Sequence, residues 1–227
     1  MNESLQQHID ELLERYPQLA DCREELSAGY SMLESCYERG NKLLIAGNGG
    51  SAADAEHMSA ELMKSFKLKR PLNADIIEML IKADPIRGKY LAQNLEMPLT
   101  AIPLVAHEAQ VTAFMNDVDA AGVFAQQLFG YGKRGDVFLG ISTSGNSENI
   151  LYAAVLAKSM GIPILGLTGA DGGKLMRIAD RTIRVPERET YKVQELHLPI
   201  YHCWCMMLEE SFFGAGNIKG KERPFDE

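Results

Sequence analysis

Apolar residues recur at three- and four-residue spacing over Leu5 to Tyr16 and again over Glu24 to Arg39, and the second run stops at Gly40. This pattern predicts two amphipathic helices at the start of the chain. Lys42 to Ala46 (KLLIA) is a continuous apolar run between turn residues, which predicts a buried strand. It ends in Gly47-Asn48-Gly49-Gly50-Ser51, and the following SAADAEHMSAELMKSF is helical in composition, with Ser51 placed as its N-cap. The same unit of strand, polar loop and helix returns later, as Asp136 to Ile141 (DVFLGI), then Ser142-Thr143-Ser144-Gly145-Asn146-Ser147, then ENILYAAVLAKSMG up to Gly161. Pro163 to Leu167 and Arg181 to Val185 read as two more strands, with a short helical segment from Lys174 to Ala179 between them. Thr190 to Phe213 is long enough for a substantial helix, which Pro199 is expected to kink by removing a backbone bond. Strands that alternate with helices predict an α/β fold: a parallel sheet covered on both faces.

Three stretches lie outside this alternation. Residues 1–40 are the N-terminal helices, 67–102 form an insert, and 214–227 are a polar, glycine-rich tail that reads as a loose extension. Within the insert, Ala74 to Ala83 and Pro85 to Gln93 look helical, with Pro85 opening the second piece. It is either a lid or interface element or a surface excursion without a role. The chain has 227 residues, 46% of them hydrophobic, which suits one large domain over 1–227 rather than two.

Charge narrows the ligand class. With 23 Lys and Arg against 31 Asp and Glu the net charge is −8, which excludes a broad nucleic-acid or anionic-membrane surface. Any anion must be held locally. The basic run Lys64 to Arg70 follows a helical pattern and reads as a solvated helix end rather than a binding patch. No stretch approaches the roughly 18 apolar residues of a membrane span, and the amphipathic, acidic N-terminus is unlike a signal peptide. The expectation is a cytoplasmic protein, and Cys22, Cys36, Cys203 and Cys205, without CxxC spacing, are expected to be reduced thiols, small core or semi-buried residues.

A glycine loop between a strand and a helix presents free N–H groups and the positive end of the helix dipole to an anion. GNGGS carries neither the GxGxxG fingerprint nor a P-loop Lys, so a nucleotide is not what it selects. STSGNS places hydroxyls at Ser142, Thr143, Ser144 and Ser147 before a helix, a set that can wrap a phosphate monoester without Lys or Arg. His57 and Glu61 stand at i and i+4 on one helix face, where they can hold a divalent metal, serve as acid and base, or form a surface hydrogen bond. Gln194 and His202, eight residues apart, share roughly one face of the last helix, with His197 and Glu195 nearby. Asn116 and Asp117 form a polar turn after a helical segment, either a contact for a hydroxyl-rich ligand or a helix terminus.

GNGGS, AEHMSAEL, ND, GISTSGNS, LTGADGGKL, IRVP and VQELHLPIYH occur in this order and together resemble the sugar-isomerase (SIS) domain, most closely in phosphoheptose isomerases. The resemblance covers roughly residues 30–212. It implies a three-layer αβα sandwich with a central parallel sheet, and a homotetramer with active sites at subunit interfaces. It also implies interconversion of sedoheptulose 7-phosphate and glycero-manno-heptose 7-phosphate through an enediol. Carried over by motif, the phosphate falls to Ser142, Thr143, Ser144 and Ser147, and other substrate contacts to Asn48, Gly49, Gly50, Ser51, Glu61, Asn116, Asp117 and Gln194. Glu61 and His202 take the base and acid roles, and His57, Glu61, Gln194 and His202 match the ligands of one zinc ion per subunit. The alternatives are an isomerase of another sugar phosphate and a non-catalytic relative that binds the replication initiator DnaA, a group in which the catalytic Glu and His are not kept. The insert and Pro199 depart from the family pattern.

Overall fold

The computed structural model describes residues 3–214, so all but the first residue of the expected loose tail lies outside the described residues. The first two helices are α1 (Glu3–Arg15) and α2 (Arg23–Glu38), joined by a 3-10 turn over Pro17–Cys22 that the periodicity did not reveal. They are followed by β1 (Leu43–Ala46), α3 (Gly50–Met63), the insert helices α4 (Ala74–Ala83) and α5 (Pro85–Asn94), and β2 (Ala101–Pro103). The second half contains α6 (Glu108–Asp117), α7 (Val123–Tyr131), β3 (Val137–Ser142), α8 (Glu148–Met160), β4 (Ile164–Thr168), β5 (Arg181–Arg184) and α9 (Thr190–Phe213).

The five strands form one parallel sheet in the order β2-β1-β3-β4-β5. Every residue of β1, β3 and β4 is buried, as expected where helices cover both faces. Alternate strand residues divide between two cores. Leu43, Ile45, Leu139 and Leu165 pack with α1, α2, α3 and α9, while Leu44, Phe138 and Ile164 pack with α7 and α8. This is the three-layer αβα sandwich. The first core is the larger, and Trp204 of α9 sits at its centre, donating its ring N–H to the Leu26 carbonyl at 3.0 Å. Gly29 makes room for that ring, because a Cβ there would lie 2.8 Å from it.

Three sequence expectations are corrected. Residues 101–102, assigned to the insert, belong to β2, an edge strand of three residues that pairs only with β1. The N-cap of α3 is Gly49, at φ 55°, and Ser51 is a buried residue of the first turn. Helix α3 ends at Met63, so Lys64 to Arg70 is not a helix end, and Arg70 is fully buried. Asn116 and Asp117 are the last two residues of α6, the helix terminus that was one of the two readings of this pair. Helix α9 runs as one element through Pro199, and all four cysteines are buried free thiols. No helix among the described residues is long and apolar enough to cross a membrane.

Candidate active site

The strand order places β1 and β3 side by side with their onward connections leaving in opposite directions, toward β2 on one side and β4 on the other. Loops at the carboxyl ends of such a pair border a crevice, the usual ligand position in an open parallel sheet. Both polar loops lie there. Asn48 in the first and Asn149 in the first turn of α8 exchange a reciprocal pair of amide hydrogen bonds at 2.9 Å, which ties the loops together.

The hydroxyl loop is internally braced. Ser142 Oγ and Ser147 Oγ are 3.0 Å apart, the Asn146 N–H donates to Ser144 Oγ at 3.2 Å, and Asn146 Oδ1 accepts from the Lys174 N–H at 3.1 Å. Gly145 has φ 64°, and a Cβ there would lie 2.1 Å from the Gly172 carbonyl oxygen, so only glycine lets this loop meet the Gly172-Gly173 turn. Thr143 and Ser147 are half-buried, Ser144 is exposed and Ser142 is buried. The loop thus presents hydroxyls and the start of α8 to the crevice.

Helix α3, which leaves the first loop, and helix α9, which follows β5, pack on the same face of the sheet and contribute the titratable groups. His57 Nε2 lies 3.4 Å from Glu61 Oε1 and 3.4 Å from His202 Nε2. Lys64 Nζ is 3.1 Å from the other Glu61 oxygen. Burial first, then the adjacent His57, hold the His202 imidazole below its ordinary range, with Glu61 opposing. Glu61 and His202, from different helices, thus meet around His57.

The remaining predicted residues are placed as follows. Gln194 sits two turns earlier on α9, with its amide against Gly50, where an added Cβ would lie 2.6 Å from Nε2. Its neighbours there are the first glycine loop and the N-terminus of α3, two turns before His57. Asn116 and Asp117 are exposed at the end of α6 and bond to each other at 2.8 Å. His197 is fully buried.

Two residues beside the site escaped sequence reasoning. Tyr201 Oη lies 3.2 Å from Asp54 Oδ1 and 3.1 Å from His57 Nδ1. Burial raises the Asp54 carboxyl, while the Tyr201 hydrogen bond and His57 oppose the rise. Asp54 was detectable in principle, three residues before His57 on the same helix face. Tyr201 was not, since in sequence it is one more apolar position of α9. On its far side His202 borders a cavity of about 260 Å³ between α1 and α9, lined also by Leu12, Tyr16, Phe66 and Leu198.

Zinc ligands at about 2.0–2.1 Å in tetrahedral geometry stand about 3.3–3.4 Å from one another. Both separations around His57 Nε2 match that spacing, and two imidazoles with a carboxylate are a suitable donor set for zinc. No group of three or more His, Cys, Asp or Glu side chains is gathered as a metal site among the described residues.

Residues 91–169, from α5 to just past β4, match the SIS domain family. A phosphoheptose isomerase from Aneurinibacillus thermoaerophilus is 40% identical over 177 residues, 78% of this chain and 76% of the relative. One from Shewanella baltica is 37% identical over 193 residues, 84% of this chain and 85% of the relative. Among solved structures, phosphoheptose isomerases from Neisseria gonorrhoeae and Francisella tularensis superpose with TM-scores of 0.69 and 0.71 at 29% and 27% identity. Each alignment covers 92% of this chain, and 98% and 100% of the respective structures. Sequence identity and coverage of this extent, on an αβα sandwich with the sugar-isomerase motifs at its switch point, show that this chain belongs to the phosphoheptose isomerase family of SIS-domain proteins.

Proposed function

We propose that this chain is a phosphoheptose isomerase, interconverting sedoheptulose 7-phosphate and D-glycero-D-manno-heptose 7-phosphate. The observation that carries the reading is the meeting of Glu61 and His202 around His57, beside a crevice bordered by two anion-binding loops. The hydroxyl loop takes the phosphate through Ser142, Thr143, Ser144 and Ser147. The N–H groups and side chains of Asn48, Gly49, Gly50 and Ser51, with Gln194, take the sugar hydroxyls. Asn116 and Asp117 are assigned to the substrate by family pattern alone.

Aldose–ketose exchange moves a proton between C1 and C2 while the carbonyl passes to the neighbouring carbon. Glu61 removes the carbon-bound proton, and the electron pair forms the enediol double bond. His202 delivers a proton to the carbonyl oxygen, and the reverse transfers at the other carbon complete the exchange. Zinc is assigned to His57, Glu61 and His202, with Gln194 as the family's fourth ligand. A bound zinc would supply Lewis-acid polarisation of the substrate's oxygens or pin the site closed. The chain is also assigned a homotetramer with interfacial sites, on family pattern, and a cytoplasmic location, on its sequence.

The test is incubation of the purified protein with sedoheptulose 7-phosphate, with and without added zinc, followed by NMR. Appearance of the aldose signal is expected, and its absence from folded, zinc-supplemented protein refutes the assignment. Metal analysis of the protein as isolated and light scattering test the zinc and the tetramer separately.

A further inference from the structure

We propose that Tyr201, with Asp54, is a positioning residue that sets the His57 tautomer, placing the ring proton on Nδ1 and turning the Nε2 lone pair toward Glu61 and His202. Tyr201 is fully buried, and its hydroxyl has two polar neighbours, Asp54 Oδ1 at 3.2 Å and His57 Nδ1 at 3.1 Å. A phenol has one proton to give. An ionised Asp54 can only accept, so Tyr201 donates to Asp54 and must itself accept from the His57 Nδ1–H. Asp54 Oδ2 is buried without a hydrogen-bond partner among the described residues, so Tyr201 is the interaction that satisfies this carboxylate. The proton order is set from the buried end of the chain.

The other end of the ring is where this matters. His57 Nε2 faces Glu61 Oε1 and His202 Nε2, each at 3.4 Å. A bare lone pair there can ligate a metal or accept a proton from His202, whereas an Nε2–H would block both. The ring meets Tyr201 edge-on at 75° with centroids 5.6 Å apart and His202 at 85° with centroids 4.9 Å apart. A partner on the second nitrogen of a ligating histidine fixes its tautomer and raises its basicity, and losing one typically costs 10–100-fold in metal affinity or activity. Here the partner is a tyrosine hydroxyl interposed between carboxylate and imidazole.

The proposal deepens the isomerase reading, and part of its test is independent of it. In metal-free protein at fixed pH, ¹⁵N NMR of the His57 ring, assigned through its loss in His57→Gln, is expected to show the Nδ1–H tautomer. Tyr201→Phe keeps the ring and removes the hydroxyl, and is expected to give a mixture of tautomers. Asp54→Ala leaves the Tyr201 proton free for His57 Nδ1 and is expected to move the ring to Nε2–H, a change that loss of packing alone would not produce. Zinc affinity by chelator competition is expected to fall about 10–100-fold in Tyr201→Phe. In turnover the loss is expected in kcat, with KM nearly unchanged. An Nε2–H tautomer in the unsubstituted protein, or one that both variants leave unaltered, overturns the proposal even if the enzyme isomerises heptose phosphate. Failure of the unsubstituted protein to bind zinc or turn over substrate refutes the functional assignment instead, and the tautomer measurement still decides this one.

Discussion

At the scale of single residues, the acid and base can be separated from the groups that hold them. Glu61→Gln keeps the shape of the side chain and removes the base, so a folded variant is expected to lose about 10²–10⁴ in kcat, measured by NMR turnover assay. Full retained activity would take the proton transfer away from Glu61. His197 raises a different question, because it lies within the same helix as His202 yet is fully buried. Burial pushes its pKa down to about 4, with the Thr168 backbone opposing weakly, and neither ring nitrogen has a well-formed hydrogen bond among the described residues. In the unfolded chain its pKa is about 6.5, so below that pH the unfolded state takes up a proton that the folded state refuses. Stability from the neutral ring is thus complete above about pH 6.5, falls as the pH drops toward the folded value, and amounts to about 3 kcal/mol in all. Urea unfolding at a series of pH values is expected to show this slope in the unsubstituted protein and its loss in His197→Leu. Parallel curves for the two proteins would exclude His197 as the source.

Among the elements, the segment after α3 shows how a catalytic helix is held. Glu209 of α9 accepts from the N–H groups of Phe66, Lys67 and Leu68 at 2.7, 2.7 and 2.9 Å and from Arg70 Nε at 2.8 Å. Arg70 in turn donates to the carbonyls of Leu62 at 2.7 Å and Glu61 at 3.1 Å, closing the C-terminus of α3 at the residue that bears the base. Burial pushes the Glu209 carboxyl up, but these N–H groups and Arg70 outweigh it and hold it below the usual range. Glu209→Gln leaves the Arg70 charge buried without its partner, and a loss of about 3–5 kcal/mol in urea unfolding is expected. A loss under 1 kcal/mol would show that the pair is not a principal anchor. The sequence could not disclose this pairing, because the partners are 139 residues apart and KSFKLKR on its own has the composition of a solvated helix end. What was legible is what depends on near neighbours: the apolar runs of β1, β3 and β4, the glycine loops after β1 and β3, the 3.6-residue periodicity of α1 and α2, and the length of α9. Strand β2 was hidden because three residues including Pro103 carry too little pattern to register as a strand. The catalytic constellation was legible as separate pairs, His57 with Glu61 and Gln194 with His202. Their relative placement depends on how α3 packs on α9, which sets Gln194 against Gly50 and His202 against His57.

For the molecule as a whole, a chain of net charge −8 offers a phosphate no long-range attraction, so affinity must come from local N–H groups and hydroxyls at the sheet's switch point. That requirement falls on β1, β3 and the helices behind their loops, and leaves the insert outside the core. Helix α4 has no buried residue and α5 buries only Gly88, where a Cβ would lie 2.1 Å from the Leu80 carbonyl oxygen. The two helices therefore pack closely on each other while Met79, Ile86 and Tyr90 stay exposed. At the base, Pro71 and Glu96 face each other in an antiparallel bridge, and Glu96 is anchored by the Ser65 N–H at 2.8 Å. The ends of the excursion are thus already positioned as the last pair of a hairpin, and a two-residue Asn-Gly turn can join them in place of 72–95. Because almost no core surface is removed, the shortened chain is expected to fold with a thermal midpoint within about 4 °C of the parent, the shift that about 1 kcal/mol produces at this size. Calorimetry of the two proteins measures it, and circular dichroism should show a loss of helix corresponding to α4 and α5 alone. A midpoint lowered by more than about 10 °C would mean that the hairpin contributes several kcal/mol to the fold and is part of the structural core.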